Sequence, residues 1–217
     1  MNDLFIRQAD IVPRDRIGAC KATVIGVGAI GRQVALQLTA IGISHLQLID
    51  FDRVEIHNLA TQGYFVKDLN RLKVDATSEL CRQMTDDLTL EILADRFKRT
   101  TPVGNCVFCC VDSITVRKHI WEAVKDRVNF FCDGRMSAEV LRILMACDDK
   151  SRDYYPQTLF AQEQAQAGPC TAKSTIYCAN IAAGLMLAQF TKYLRMLPIE
   201  QDIQVNLLAC ELNVGPC

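Results

Sequence analysis

A doubly wound α/β domain, with a mainly parallel sheet, helices on both faces and an antiparallel C-terminal portion, is the fold class that the 217-residue sequence predicts. Three observations predict it. Apolar runs of strand length alternate with segments of helical period along most of the chain. The first apolar run closes on Gly26-x-Gly28-x-x-Gly31, and the second closes on Asp50, 19 residues beyond the last glycine. That order places a phosphate-cradling turn at a helix N-terminus and a carboxylate near a ribose hydroxyl, the Rossmann-like arrangement. Finally, Asp50, Asp112 and Asp133 each end an apolar run, and ligands of open α/β sheets gather at the carboxyl ends of strands.

The elements follow in order. Residues 22–27 read as a buried strand, 29–41 as a helix ending near Gly42, and 45–50 as the next strand. Residues 52–65 read as a polar loop carrying His57, Asn58, Thr61 and Gln62. Leu69, Leu72, Ala76 and Leu80 recur near helical spacing, which assigns a helix to 68–82. A short strand over 88–93 precedes a strongly apolar one over 105–111, and Ser113 is placed to cap a helix over 113–125. Residues 128–132 and 139–147 read as strands. The stretch 148–172 is polar, rich in glutamine and broken by Pro156 and Pro169; it is expected to be an irregular, mobile crossover loop. A long apolar helix over 174–195 and a closing strand over 202–212 complete the chain. No repeat, low-complexity tract or linker divides it, so residues 1–217 are expected to form one domain.

Composition removes several function classes. A net charge of -1 gives no reason to expect nucleic acid or an anionic membrane as partner. No apolar run is long enough to cross a bilayer, and the first residues lack the basic-then-apolar order of an export signal, so a cytoplasmic location is expected. Eleven cysteines are an odd number without an export signal, which argues against a disulfide scaffold. Cys106, Cys109 and Cys110 have a spacing that suggests zinc, yet they lie in the apolar run 105–111 with no second pair downstream. They read as small buried hydrophobes, and no zinc is expected.

The segment Leu48-Ile-Asp-Phe-Asp-Arg-Val-Glu-Ile-His-Asn-Leu-Ala-Thr-Gln62 goes beyond a generic glycine turn. It resembles the adenylating domain shared by ubiquitin-activating enzymes and the bacterial ThiF/MoeB/HesA proteins, and the resemblance extends over nearly the whole chain, in a minimal form. The resemblance implies roles for particular residues. Arg7, followed by Gln8, matches an arginine that reaches into a neighbouring subunit's ATP site. Gly26, Gly28, Gly31, Asp50, Asp52, Asn58, Gln62 and Lys73 are then nucleotide-binding residues, with Lys73 on phosphate. Asp112 matches a magnesium-coordinating aspartate, with Arg117 following it on the next helix. Gly168-Pro-Cys-Thr171 resembles the segment that carries a thioester-forming cysteine in eukaryotic members, which makes Cys170 the candidate nucleophile. A thiol near a helix N-terminus, with Lys173 beside it, has its thiolate favoured. Cys178 lies inside the apolar helix and reads as core. Thr61 departs from the family, which has an arginine there on the ATP phosphates; a threonine supplies no such cationic fork. Arg71 and Arg53 are candidate substitutes.

The function implied is ATP- and Mg-dependent adenylylation of the C-terminal glycine of a ubiquitin-like or sulfur-carrier protein, followed by thioester formation on Cys170. Catalytic roles then fall to Cys170, Arg7, Lys73 and Asp112. Arg7 acts on a second site only in a homodimer, or in a heterodimer with a related subunit. Three alternatives stand beside it. Thr61 motivates a catalytically impaired scaffold or partner subunit. The glycine turn and Asp50 alone fit an NAD-dependent oxidoreductase, although His45, His57 and His119 are scattered and form no hydride-transfer group. A relative that adenylates a small molecule or a tRNA base is the third.

Overall fold

The computed structural model describes residues 4–160 and 175–215. Their strands form one eight-stranded sheet in the order β3-β2-β1-β4-β5-β6-β7-β8. The parallel half comprises β1 (Lys21–Ile25), β2 (His45–Ile49), β3 (Thr89–Leu93), β4 (Cys106–Cys109) and the start of β5 (Phe130–Ser137). From there β6 (Val140–Ala146), β7 (Asp202–Asn206) and β8 (Glu211–Val214) add in antiparallel register, with Asp133 opposite Leu144 and Ile143 opposite Ile203. The sheet is mainly parallel with an antiparallel C-terminal portion, as the sequence predicts.

Alternation along the strands divides the core in two. On one face, Val24, Leu48, Phe108 and Ile143 pack with α2 (Ala29–Ala40), α4 (Lys73–Arg82) and α7 (Ile176–Leu194). On the other, Ile25, Ile49, Val107 and Phe131 meet Ile120, Trp121 and Val124 of α5 (Ile114–Val124), and Tyr155 beyond α6 (Asp149–Tyr154). α7 earns its burial by spacing: Cys178, Ala182, Met186, Phe190 and Leu194 recur every four residues and are all buried. Small side chains there and at Ala35 let α7 lie against α2. None of the described helices is long and apolar enough to cross a membrane.

Of the cysteines in the 105–111 run, Cys106 and Cys109 are buried in the core, and Cys110 is partly buried against it. Cys106 joins the first cluster and Cys109 the second, so successive turns of the pleat send them to opposite faces. Burial pushes the Cys109 thiol up.

Several segments differ from the sequence reading, among them the strand expected over 128–132, which runs on as β5 to Ser137. The polar loop over 52–65 contains a helix, α3 (Ile56–Gln62). Its start is fixed by a capping box between Glu55 and Asn58 and its end by Gly63, at φ +74°. Only Asn58 of α3 is buried, so no apolar stripe announces the helix. The helix expected from residue 68 begins at Lys73, because Val66–Asp68 is a 3₁₀ turn and Asn70, at φ +65°, breaks the run. The front of the expected irregular stretch 148–172 is helical: α6 is capped by Asp148 through the Ser151 N–H, and a 3₁₀ turn, Tyr155–Thr158, follows. The closing strand over 202–212 is a hairpin of β7 and β8, turned at Cys210 with φ +55°. A short helix near the N-terminus, α1 (Arg14–Gly18), was not anticipated.

Candidate nucleotide site

The order β2-β1-β4 makes β1 the strand where the winding reverses, so the crevice beyond the ends of β1 and β4 is where such a sheet binds ligands. The glycine turn occupies that place. Gly26 has φ +86°, and a Cβ there would stand 2.8 Å from the Cys110 carbonyl oxygen, so the turn lies directly on the end of β4. A Cβ on Gly31 would stand 1.8 Å from the Gly26 carbonyl oxygen, so this glycine lets α2 fold back against the turn. Gly28 is different. It is the N-cap of α2, no side chain caps that end, and the nearest atom to a Cβ there is Gln62 Oε1 at 3.8 Å. Among the described residues the α2 N-terminus thus has no side-chain cap and has room above Gly28, the setting in which a helix N-terminus receives an anion.

Asp50 braces the turn. Its Oδ2 accepts the Val27 N–H at 2.6 Å and its Oδ1 the Asp52 N–H at 2.8 Å. Burial pushes its carboxyl up, and the two N–H groups and Lys73 pull the other way. Each carboxylate oxygen keeps a further lone pair for a sugar hydroxyl. Lys73 is the first residue of α4; its Nζ pairs with the half-exposed Asp52 at 3.0 Å, and its N–H donates to the Asp52 carbonyl at 2.9 Å. The Tyr64 hydroxyl ties these parts together, donating to the Val27 carbonyl at 2.6 Å with the Lys73 carbonyl 3.4 Å away.

The remaining predicted residues separate. Asn58 Oδ1 accepts the Glu55 N–H at 2.9 Å, so its oxygen caps α3 and its NH₂ is what remains for a ligand. Gln62 Oε1 is buried beside Gly28 and has no hydrogen-bond partner among the described residues. Asp112 follows the end of β4 and is exposed, two residues beyond the Cys110 carbonyl on which Gly26 rests. A single carboxylate of this kind suits Mg²⁺, which takes one or two carboxylates, water and substrate phosphate; the described residues hold no cluster of three or more ligating side chains. Arg7 lies away from this group. It is exposed on the 3₁₀ turn Ile6–Gln8, and Gln8 Nε2 bonds the Ala40 carbonyl at the far end of α2. Twelve residues of helix separate that end from Gly28, a length of about 18 Å. Cys170 lies outside the described residues, and Cys178 is fully buried in α7.

Thr61 turns its hydroxyl back to the His57 carbonyl at 2.8 Å. Both candidate substitutes have partners of their own. Arg71 pairs with Asp68 at 3.2 Å and Glu79 at 2.7 Å, and Arg53 donates to the Asn70 carbonyl at 2.6 Å. Asp133, at the end of the parallel part of β5, is fully buried and spoken for: Arg117 pairs with it, Arg135 Nε approaches to 2.8 Å and the Tyr155 hydroxyl to 2.9 Å. The arginine on α5 is therefore part of an internal ion cluster. Two residues near the turn escaped the sequence reading, Arg32 and Tyr64. The signal for Arg32 was its spacing: it shares the inner face of α2 with Ala35 and Thr39, three and seven residues on.

The sheet order and the glycine turn define an α/β domain of Rossmann-like type. Among such proteins, the chain belongs to the ThiF family, whose model matches residues 4–212. It is 24% identical over 123 residues to the molybdopterin-synthase adenylyltransferase of Haemophilus influenzae, covering 54% of this chain and 51% of that protein. It is 30% identical over 103 residues to the ThiS adenylyltransferase of Escherichia coli, covering 45% of this chain and 41% of that one. These matches span about half or less of the relatives' length. The fold is shared with the Microcin C7 biosynthetic enzyme MccB, solved with N-formylated MccA, at a TM-score of 0.81 and 16% identity over 99% of this chain and 72% of that one.

Proposed function

We propose that this chain is an adenylyltransferase that uses ATP to activate the C-terminal glycine carboxylate of a ubiquitin-like or sulfur-carrier protein. The observation that supports the reading is the α2 N-terminus at Gly28, which no side chain caps, with Gln62 Oε1 3.8 Å from where a Cβ would stand and Asp50 holding the Val27 and Asp52 N–H groups of the turn. Attack of a carboxylate oxygen on the α-phosphate releases pyrophosphate and leaves an acyl-adenylate. Negative charge spreads over the phosphate oxygens in that step, and fixed donors aimed there lower the barrier. The α2 N–H groups and Lys73 supply them, and Asp50 receives the ribose. Mg²⁺ held by Asp112 would add countercharge to the phosphates. Arg7, too far from its own turn, serves the site of a second subunit, which makes the active form a dimer. The adenylate then passes to a nucleophile, for which Cys170 is the candidate.

Calorimetric titration with ATP and Mg²⁺, with NAD⁺ in parallel, tests the site. ATP binding that weakens in Asp112→Ala, with no response to NAD⁺, supports the reading; NAD⁺ binding in place of ATP rejects it. Pyrophosphate release on adding a carrier protein that ends in glycine tests the reaction. ATP binding that survives without any pyrophosphate from a cognate carrier would favour the scaffold role that Thr61 suggests.

A further inference from the structure

Arg32 is 1% exposed and sits one turn inside α2, its N–H bonded to the Gly28 carbonyl at 3.1 Å. Its guanidinium has neutral company. Nη1 donates to Thr77 Oγ1 at 3.1 Å, Cζ lies 4.1 Å from the Tyr64 ring centre, and Nε has no partner among the described residues. Among the described residues no carboxylate stands at ion-pair distance from it. The nearest carboxylate of the turn, Asp50, is already held by the Val27 and Asp52 N–H groups.

The described residues therefore hold this buried guanidinium with no carboxylate at ion-pair distance, an arrangement that costs free energy unless a countercharge arrives from elsewhere. The α2 N-terminus above it has the same sign, which raises the local potential further. The cage is joined to the glycine turn: Tyr64, stacked on Arg32, donates to the Val27 carbonyl at 2.6 Å and stands 3.2 Å from Thr77 Oγ1. Arg32 stands four residues beyond Gly28, an axial rise of about 6 Å, and its buried guanidinium acts on an anion at the turn through protein that salt screens little.

We propose that Arg32 is the fixed countercharge of the phosphates bound at the turn, so that this site selects ligands by their phosphate charge through a residue that does not touch them. The proposal rests on the nucleotide-site reading and deepens it. It assigns to the interior of α2 a positive charge that the surface position Thr61 does not provide.

The test measures the affinities of adenosine, AMP and ATP, with Mg²⁺ present, for the wild type and for Arg32→Met, Arg32→Gln and Arg32→Lys. The two neutral variants serve as each other's check on folding, followed by thermal unfolding of the ligand-free protein. The neutral variants are expected to melt no lower than the wild type, because an uncompensated buried charge has been removed. Their affinity falls by about tenfold for ATP, about threefold for AMP and not at all for adenosine. Arg32→Lys keeps most of the preference for ATP. An equal loss for all three ligands would show a packing role only and overturn the proposal, as would an unchanged affinity for ATP. A wild-type protein that binds none of the three fails at the earlier step and removes the nucleotide site itself.

Discussion

Two glycines three residues apart should fail in different ways when given a methyl group. At Gly31 the new Cβ would stand 1.8 Å from the Gly26 carbonyl oxygen and 3.1 Å from Cys110 Cβ. Ordinary contact needs roughly 3.5 Å, so backbone must move by more than 1 Å. The carbonyl in question belongs to a turn whose N–H is tied to the Ile49 carbonyl at 2.9 Å. Overpacking against a fixed backbone costs about 3 kcal/mol, which lowers the melting temperature by about 6–12 °C for a chain of this size. At Gly28 the nearest neighbour is 3.8 Å away, and φ is negative at -83°. Alanine at an N-cap costs about 1 kcal/mol relative to a good cap, so Gly28→Ala should melt within about 4 °C of the wild type. Its methyl group, however, enters the space above the α2 N–H groups. A clash there of about 1–3 kcal/mol weakens ATP by roughly 5- to 150-fold. Calorimetric unfolding and an ATP titration of both variants decide the matter. If Gly28→Ala melts as low as Gly31→Ala, or binds ATP as the wild type does, the assignment of one glycine to the fold and the other to the ligand is wrong.

Asp133→Ala leaves the buried Arg117 and Arg135 without their shared carboxylate. A loss of about 3–5 kcal/mol, read as a fall in the denaturant midpoint, is expected. Asp50 gives stability a pH dependence. Its carboxyl is raised by burial, so the folded chain holds the proton more readily than the unfolded one. The stability it contributes is complete below the ordinary aspartate range and is lost as pH rises through the raised value. Asp50→Asn should flatten that slope in urea titrations run across the acid range. If Arg7 serves a neighbouring site, Arg7→Ala and Lys73→Ala should each be inactive alone. Mixed and allowed to exchange subunits, they should recover about a quarter of wild-type turnover, because half of the dimers then carry one complete site. No recovery despite proven exchange would place Arg7 outside the reaction.

The parts legible in the sequence are those where backbone geometry demands a residue type. The glycine turn, the strand ending in Asp50 and the body of α4 follow from conformation and period, although α4 starts at Lys73, five residues later than its period suggests. α3 was illegible because its signal is local capping by Glu55 and Asn58, with one buried residue in seven. The hairpin at Cys210 was illegible because β8 is exposed throughout and shows no alternation.

Charged residues escaped for another reason. Hydrophobic pattern treats an arginine as surface, yet Arg32 and Arg117 are both buried, and each lies on the inner side of its helix. Spacing would have placed them inside; only the structure shows what surrounds them. There the two part company. Arg117 pairs with Asp133, which it shares with Arg135, and donates to the Val111 carbonyl, so it has a carboxylate partner within the fold. Arg32 has a hydroxyl and an aromatic ring, which do not neutralise it. A buried cation that meets its own carboxylate explains itself as packing, whereas one left without a countercharge beneath an open helix N-terminus points to an anion that comes from outside the chain.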